Sequence, residues 1–189
     1  MALTPSNMLP LGTLAPDFAL PGVDGNIHRL QDFSSASALL VMFICNHCPF
    51  VKHVQKQLVA LARDYQARNV AVVAISSNDI AAYPADDMSN MKQEAIAAGY
   101  PFPYLLDESQ VVARAYDAAC TPDFFLFDKG RKLVYRGRLD ASRPGNNVSV
   151  DGIDLRTALD SVLQGKPVAA EQQPSVGCNI KWRPGNQPA

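Results

Sequence analysis

The chain has 189 residues, 48% of them hydrophobic, which is enough for one domain with a substantial core. Seventeen basic residues against 18 acidic ones leave a formal charge of −1, which excludes the basic surface that nucleic acid or an anionic membrane selects. No apolar run reaches bilayer-spanning length, and residues 1–18 lack a charged leader followed by an apolar stretch, so the expected location is the cytoplasm.

Residues 1–16 are rich in Pro and small side chains and read as an arm. Residues 18–20 and 27–30 suit short strands around the turn Pro21-Gly-Val-Asp-Gly25. The run Leu-Leu-Val-Met-Phe-Ile at 39–44 fits a strand buried on both faces. Val51, Val54, Leu58, Leu61 and Tyr65 then step by three or four, which predicts a helix with one apolar face. Residues 70–75 are a second buried-strand run, so strand, helix and strand form a parallel crossover. A polar loop at 76–84 leads to a helix over 87–98 that stops at Gly99. A short strand at 104–106 and a short helix at 109–116 follow. Strands at 124–127 and 133–137 flank the turn Asp128-Lys-Gly-Arg131, a hairpin signal. Residues 152–164 place Leu155, Leu159, Val162 and Leu163 on one helical face. The expected architecture is a three-layer α/β/α sandwich around a mixed sheet in residues 1–165. A Pro- and Gly-rich tail over 166–189, docked or loose, completes the chain.

Four cysteines are present: Cys45, Cys48, Cys120 and Cys178. A chain this large needs no structural staples, and cysteines two apart in a reducing compartment point to catalysis or metal. Cys45-Asn46-His47-Cys48-Pro49 stands where a buried strand gives way to a helix. Unpaired N–H groups and the positive end of the macrodipole favour a thiolate there. Cys45 is expected at the cap, exposed and activated, with Cys48 a turn further in and able to attack a mixed disulfide on Cys45. A charged His47 would favour the Cys45 thiolate. A zinc site needs a second paired knuckle, which is missing; only Cys120, Cys178, His47 and His53 could complete one. Haem attachment needs His directly after Cys48, where Pro49 stands.

These features resemble the thioredoxin superfamily: the strand–Cys-x-x-Cys-Pro–helix unit and the downstream Thr121-Pro122. The opening Gly12-Thr-Leu-Ala-Pro-Asp-Phe18 resembles the peroxiredoxin-like, AhpC/TSA-related branch. So do Ser76-Ser-Asn-Asp79, Tyr135-Arg-Gly-Arg-Leu-Asp140 and Gly177-Cys-Asn-Ile-Lys-Trp182. The resemblance implies a thioredoxin-like fold, with Cys45 attacking and Cys48 resolving. It implies a cis peptide at Thr121-Pro122 and a Thr121 backbone that pairs with a substrate peptide in strand fashion. The sequence departs from thioredoxins proper in lacking a buried acid in the strand before the pair. It departs from typical peroxiredoxins in placing Met42 where they carry a Thr.

Cys120 is expected to face the core, and Cys178 either resolves an oxidised sulfur or packs under Trp182, which anchors the tail. The function expected is thiol-disulfide exchange on a protein or small-molecule disulfide. The alternative is a thiol peroxidase, with Cys45 forming a sulfenic acid that Cys48 or Cys178 resolves. A third reading is a metal carrier using Cys45, Cys48 and His47 or His53. A dithiol reductant is the implied partner. No cofactor, resident metal, nucleic acid or membrane is expected.

Overall fold

The computed structural model describes residues 3–188; Met1, Ala2 and Ala189, the outermost residues of the arm and tail, lie outside them. Three short strands come first: β1 (Leu3–Pro5), β2 (Ala19–Pro21) and β3 (Ile27–Arg29). The continuous apolar run becomes β4 (Ala38–Phe43), buried at every position. Then follow α1 (Pro49–Gln66), β5 (Val70–Ser76), α2 (Met88–Ala98), β6 (Tyr104–Leu106) and α3 (Val111–Ala115). The chain closes with β7 (Cys120–Thr121), β8 (Asp123–Phe127), β9 (Leu133–Gly137), α4 (Ile153–Leu163) and β10 (Val176–Asn179).

The central sheet runs β6-β5-β4-β8-β9. β4 pairs in parallel with β5 and antiparallel with β8, so β4 is covered on both edges. Successive side chains of a strand point to opposite faces, so β4 feeds two cores at once. Leu40 and Met42 pack with Val51, Val54, Leu58 and Leu61 of α1 and with Leu155 and Leu159 of α4. Leu39, Val41 and Phe43 pack on the other side with Val112, Ala113 and Tyr116, and with Phe18 and Leu20 from the opening segment. Each large apolar side chain buried in this way contributes roughly 1.5–3 kcal/mol. The result is the three-layer sandwich that the periodicities predict, with helix and strand limits moved by a residue or two. Asp87 caps α2 by accepting from the Asn90 N–H, and Gly99 ends it in the left-handed region at φ 68°.

The arm and tail differ from the sequence reading in one respect. β10 lies between β1 and β7 in a second, three-stranded antiparallel sheet. Leu3 and Thr121 both stand opposite Cys178, one on each side. Gln110 holds the far end of the tail by donating to the Lys181 carbonyl and accepting from the Arg183 N–H. Trp182 packs against the second core, as its expected anchoring role requires.

Candidate active site

The chain leaves β4 at Phe43, turns through residues 44–47 and enters α1 with Cys48 as N-cap and Pro49 as the first helical residue. Pro lacks an N–H and suits that position. The cap is therefore Cys48; the sequence reading gave it to Cys45. The peptide Thr121-Pro122 is cis, as the resemblance implies, and it lays Thr121 against both sulfurs. Cys45 Sγ is 3.5 Å from Thr121 Oγ1, and Cys48 Sγ is 3.1 Å from the Thr121 carbonyl oxygen. On its far side Cys48 Sγ lies 2.8 Å from Cys178 Sγ. Three sulfurs thus meet, with Cys48 in the middle, and none of the four cysteines is in a disulfide.

Their surroundings divide the charge. The neighbouring Cys45, Cys178 and Thr121 groups hold the Cys48 thiol down at about 4 against the opposing pull of burial, and while it keeps its proton Cys48 Sγ donates to the Thr121 carbonyl oxygen and to Cys178 Sγ. Cys45 is raised well above the ordinary thiol value by its hydrogen bond to Cys48, by burial and by the carboxylate of Asp86. Burial and the Cys48 charge push Cys178 up to about 12. The helix N-terminus adds its macrodipole to the groups that favour the thiolate form of the central sulfur. Cys45 is also only 2% exposed. Both findings correct the expectation of an exposed, acidic Cys45.

His47 stands near Cys45, a ring nitrogen within 4.8 Å of its Sγ, and it also meets a carboxylate. Its Nδ1 lies 2.7 Å from Asp86 Oδ2, in contact but poorly aligned for a hydrogen bond, and its ring stacks on Tyr83. The Asp86 carboxylate opposes ionisation of Cys45. Asp86 is fully buried, accepts from the Asn46 N–H and from Asn78 Nδ2, and is the residue that sequence reading missed. It supplies the buried acid absent from β4, from a different element. Asn78 also accepts the Lys181 N–H, so the loop after β5, the tail and the acid form one hydrogen-bonded chain.

Cys45 Sγ, a ring nitrogen of His47 and a carboxylate oxygen of Asp86 lie within 4.8 Å of one another. This donor set differs from the one anticipated for a metal. Cys48 turns instead to Cys178, and His53 lines a separate small cavity with Pro122, Arg138 and Ser142. Both oxygens of Asp86 are engaged already, and a metal would have to displace those partners.

Two further expectations meet the structure here. Cys120 is buried with its Sγ 3.7 Å from the Pro122 carbonyl oxygen, and burial raises its thiol. Thr121 is paired already, since Cys178 of β10 occupies the register position opposite it. The edge reserved for a substrate peptide is therefore filled by the chain's own tail. Asn46, bonded to the Ala85 carbonyl and to Tyr104, roofs the site, and a shallow recess lined by Asn46, Ala85, Asn90 and Glu94 lies outside it.

The thiol-disulfide oxidoreductase ResA of Geobacillus thermodenitrificans is 26% identical over 132 residues, covering 69% of this chain and 70% of that protein. An uncharacterized conserved protein of Geobacillus kaustophilus has a solved structure that matches with a TM-score of 0.96, at 59% identity over 98% of each chain. The thioredoxin domain of a thiol-disulfide oxidoreductase from Bacteroides vulgatus matches with a TM-score of 0.61 at 18% identity, over 79% of this chain and 99% of that one. At that identity the likeness speaks for the thioredoxin-like fold alone. The sequence pattern of the AhpC/TSA family matches residues 11–136, a stretch that holds Cys45, Cys48 and the cis-proline but stops short of Cys178. The chain belongs to the AhpC/TSA family.

Proposed function

We propose that the protein is a thiol-disulfide oxidoreductase in which Cys45 attacks a disulfide and Cys48 resolves the intermediate. The observation that carries this reading is geometric: Cys45 and Cys48 meet at the α1 N-cap with both sulfurs against Thr121 of the cis peptide, 3.5 Å and 3.1 Å away, and their surroundings push the Cys48 thiol down and the Cys45 thiol up. Cys48 is then the base for its neighbour. As Cys45 attacks a disulfide R–S–S–R′, its proton passes to Cys48 and R′S⁻ leaves. The Cys48 thiol next attacks Cys45, and its proton leaves with RSH. A dithiol returns the Cys45–Cys48 disulfide to its reduced form.

In this reading the substrate approaches beside Asn46 and Ala85, which line the recess outside the site. Because the Thr121 edge is taken by β10, the substrate class that fits is a low-molecular-weight disulfide; a protein disulfide would first have to displace the tail. A reducing, cytoplasmic compartment belongs to the same reading. Among the described residues no helix is long and apolar enough to cross a membrane.

The test is turnover of a small disulfide coupled to dithiol oxidation. Cys45→Ser is expected to abolish it, and Cys48→Ser to trap the substrate's half as a mixed disulfide on Cys45. Full turnover by Cys45→Ser would sink the reading. The closed site and the family also favour a second reading, reduction of a hydroperoxide at Cys45 with Cys48 or Cys178 resolving. Peroxide consumption by the wild type that Cys45→Ser lacks would select it.

A further inference from the structure

The couple just described uses two of the three sulfurs that meet at the head of α1. Cys178 is held against them by construction. Its strand is clamped on both edges, by Leu3 of β1 and by Thr121 of β7. Gly177 allows the close approach, because a Cβ there would stand 2.0 Å from the Thr121 carbonyl oxygen. Beyond the strand, Asn78 and Gln110 fix Lys181 and Arg183. The outcome is a Cys178 Sγ that is buried and 2.8 Å from Cys48 Sγ. A disulfide needs about 2.05 Å between sulfurs, so the bond is reached by a small side-chain movement.

We propose that Cys178 is a third redox thiol, which exchanges with Cys45 for Cys48. The inference rests on the Cys45–Cys48 couple. From the Cys45–Cys48 disulfide, the sulfur of Cys178 attacks Cys48 Sγ. The Cys48–Cys178 bond forms and the Cys45–Cys48 bond breaks. The electron pair leaves on Cys45, which takes up the proton that Cys178 gives up. The exchange is internal and needs no further oxidant or reductant: a two-electron oxidation moves one sulfur inward.

The two oxidised forms have different reach. In the first, a reductant entering under Asn46 meets Cys45 in the disulfide. In the second, Cys45 is a thiol again, and the disulfide is sealed between α1 and β10 until it reverts. The tail that fills the strand-addition edge is thereby an internal partner for the resolving cysteine.

The experiment is disulfide mapping of the full-length protein. Reduced protein receives one equivalent of oxidised glutathione, samples are quenched in acid over time, and free thiols are alkylated before digestion. Cys45–Cys48 is expected first, followed by Cys48–Cys178 with alkylated Cys45. On re-reduction by a dithiol the wild type is expected to show a slow phase that Cys178→Ser and Cys178→Ala lack. If Cys45–Cys48 forms and Cys48–Cys178 never follows, Cys178 is packing alone; the relay is overturned while the couple stands. If neither disulfide forms, the couple itself fails and the relay falls with it. The wild-type time course decides even where both variants misfold.

Discussion

Of the residues at the site, Cys45 and Cys48 were legible from their spacing and their place between an apolar run and an amphipathic helix. Which sulfur carries the charge was not. That depends on Cys178 and Thr121, which tertiary pairing brings in, and on Asp86, whose bond to the Asn46 N–H spans forty positions of sequence. No local pattern marks such an acid, because its neighbours Ala85 and Asp87 read as an ordinary helix start. Two outcomes follow at this scale. Ultraviolet thiolate absorbance should be present at neutral pH and fall as the pH passes through about 4, with Cys48→Ser removing most of the change. Asp86→Asn deletes the negative charge that opposes ionisation of Cys45, so Cys45 should titrate at lower pH. The measurement is the pH profile of Cys45 alkylation by mass spectrometry; an unmoved or alkaline-shifted profile would contradict the electrostatic assignment.

Among the elements, those marked by their own run, periodicity or turn were readable, the short β2, β3, β6 and α3 included, and β1, β7 and β10 were not. β4, β5 and α1 announce themselves through runs or periodicities that their own residues carry. β1, β7 and β10 have two to four residues each and exist because they pair with one another. Val-Gly-Cys-Asn shows no alternation to read. Its Gly177 has a role that only the assembled sheet reveals. Gly177→Ala forces β10 away from β7, with a destabilisation on the order of 1–3 kcal/mol expected from overpacking. The more specific expectation is faster alkylation of Cys178 in the variant and loss of any Cys48–Cys178 crosslink. A variant indistinguishable from wild type in both would show that the tight approach is unimportant.

At the scale of the whole molecule, the three-layer sandwich followed from the order of buried runs and amphipathic helices, because both faces of β4 must be covered. The pH response of stability did not follow. Asp123 begins β8 fully buried, accepts from the Ser6 hydroxyl at 2.7 Å, and has its carboxyl pushed up from 3.8 to about 7, chiefly by burial. Its folded form holds a proton that the unfolded chain releases near pH 4. Stability from this group is therefore complete below that value and declines as the pH rises through about 7, by a total on the order of 4 kcal/mol. Asp123→Asn should flatten that decline in denaturant titrations across the range; an unchanged slope would remove Asp123 as its source.

Leu3–Pro5 and Cys120–Thr121 grip Val176–Asn179 from either side, so the chain is fastened like a belt whose buckle is the thiol site. Damage at a great sequence distance is then felt there. Deleting Leu3–Pro5 removes one side of the fastening and is expected to change how quickly reagents find the sulfurs, although these residues lie at least forty positions from Cys45 in the sequence.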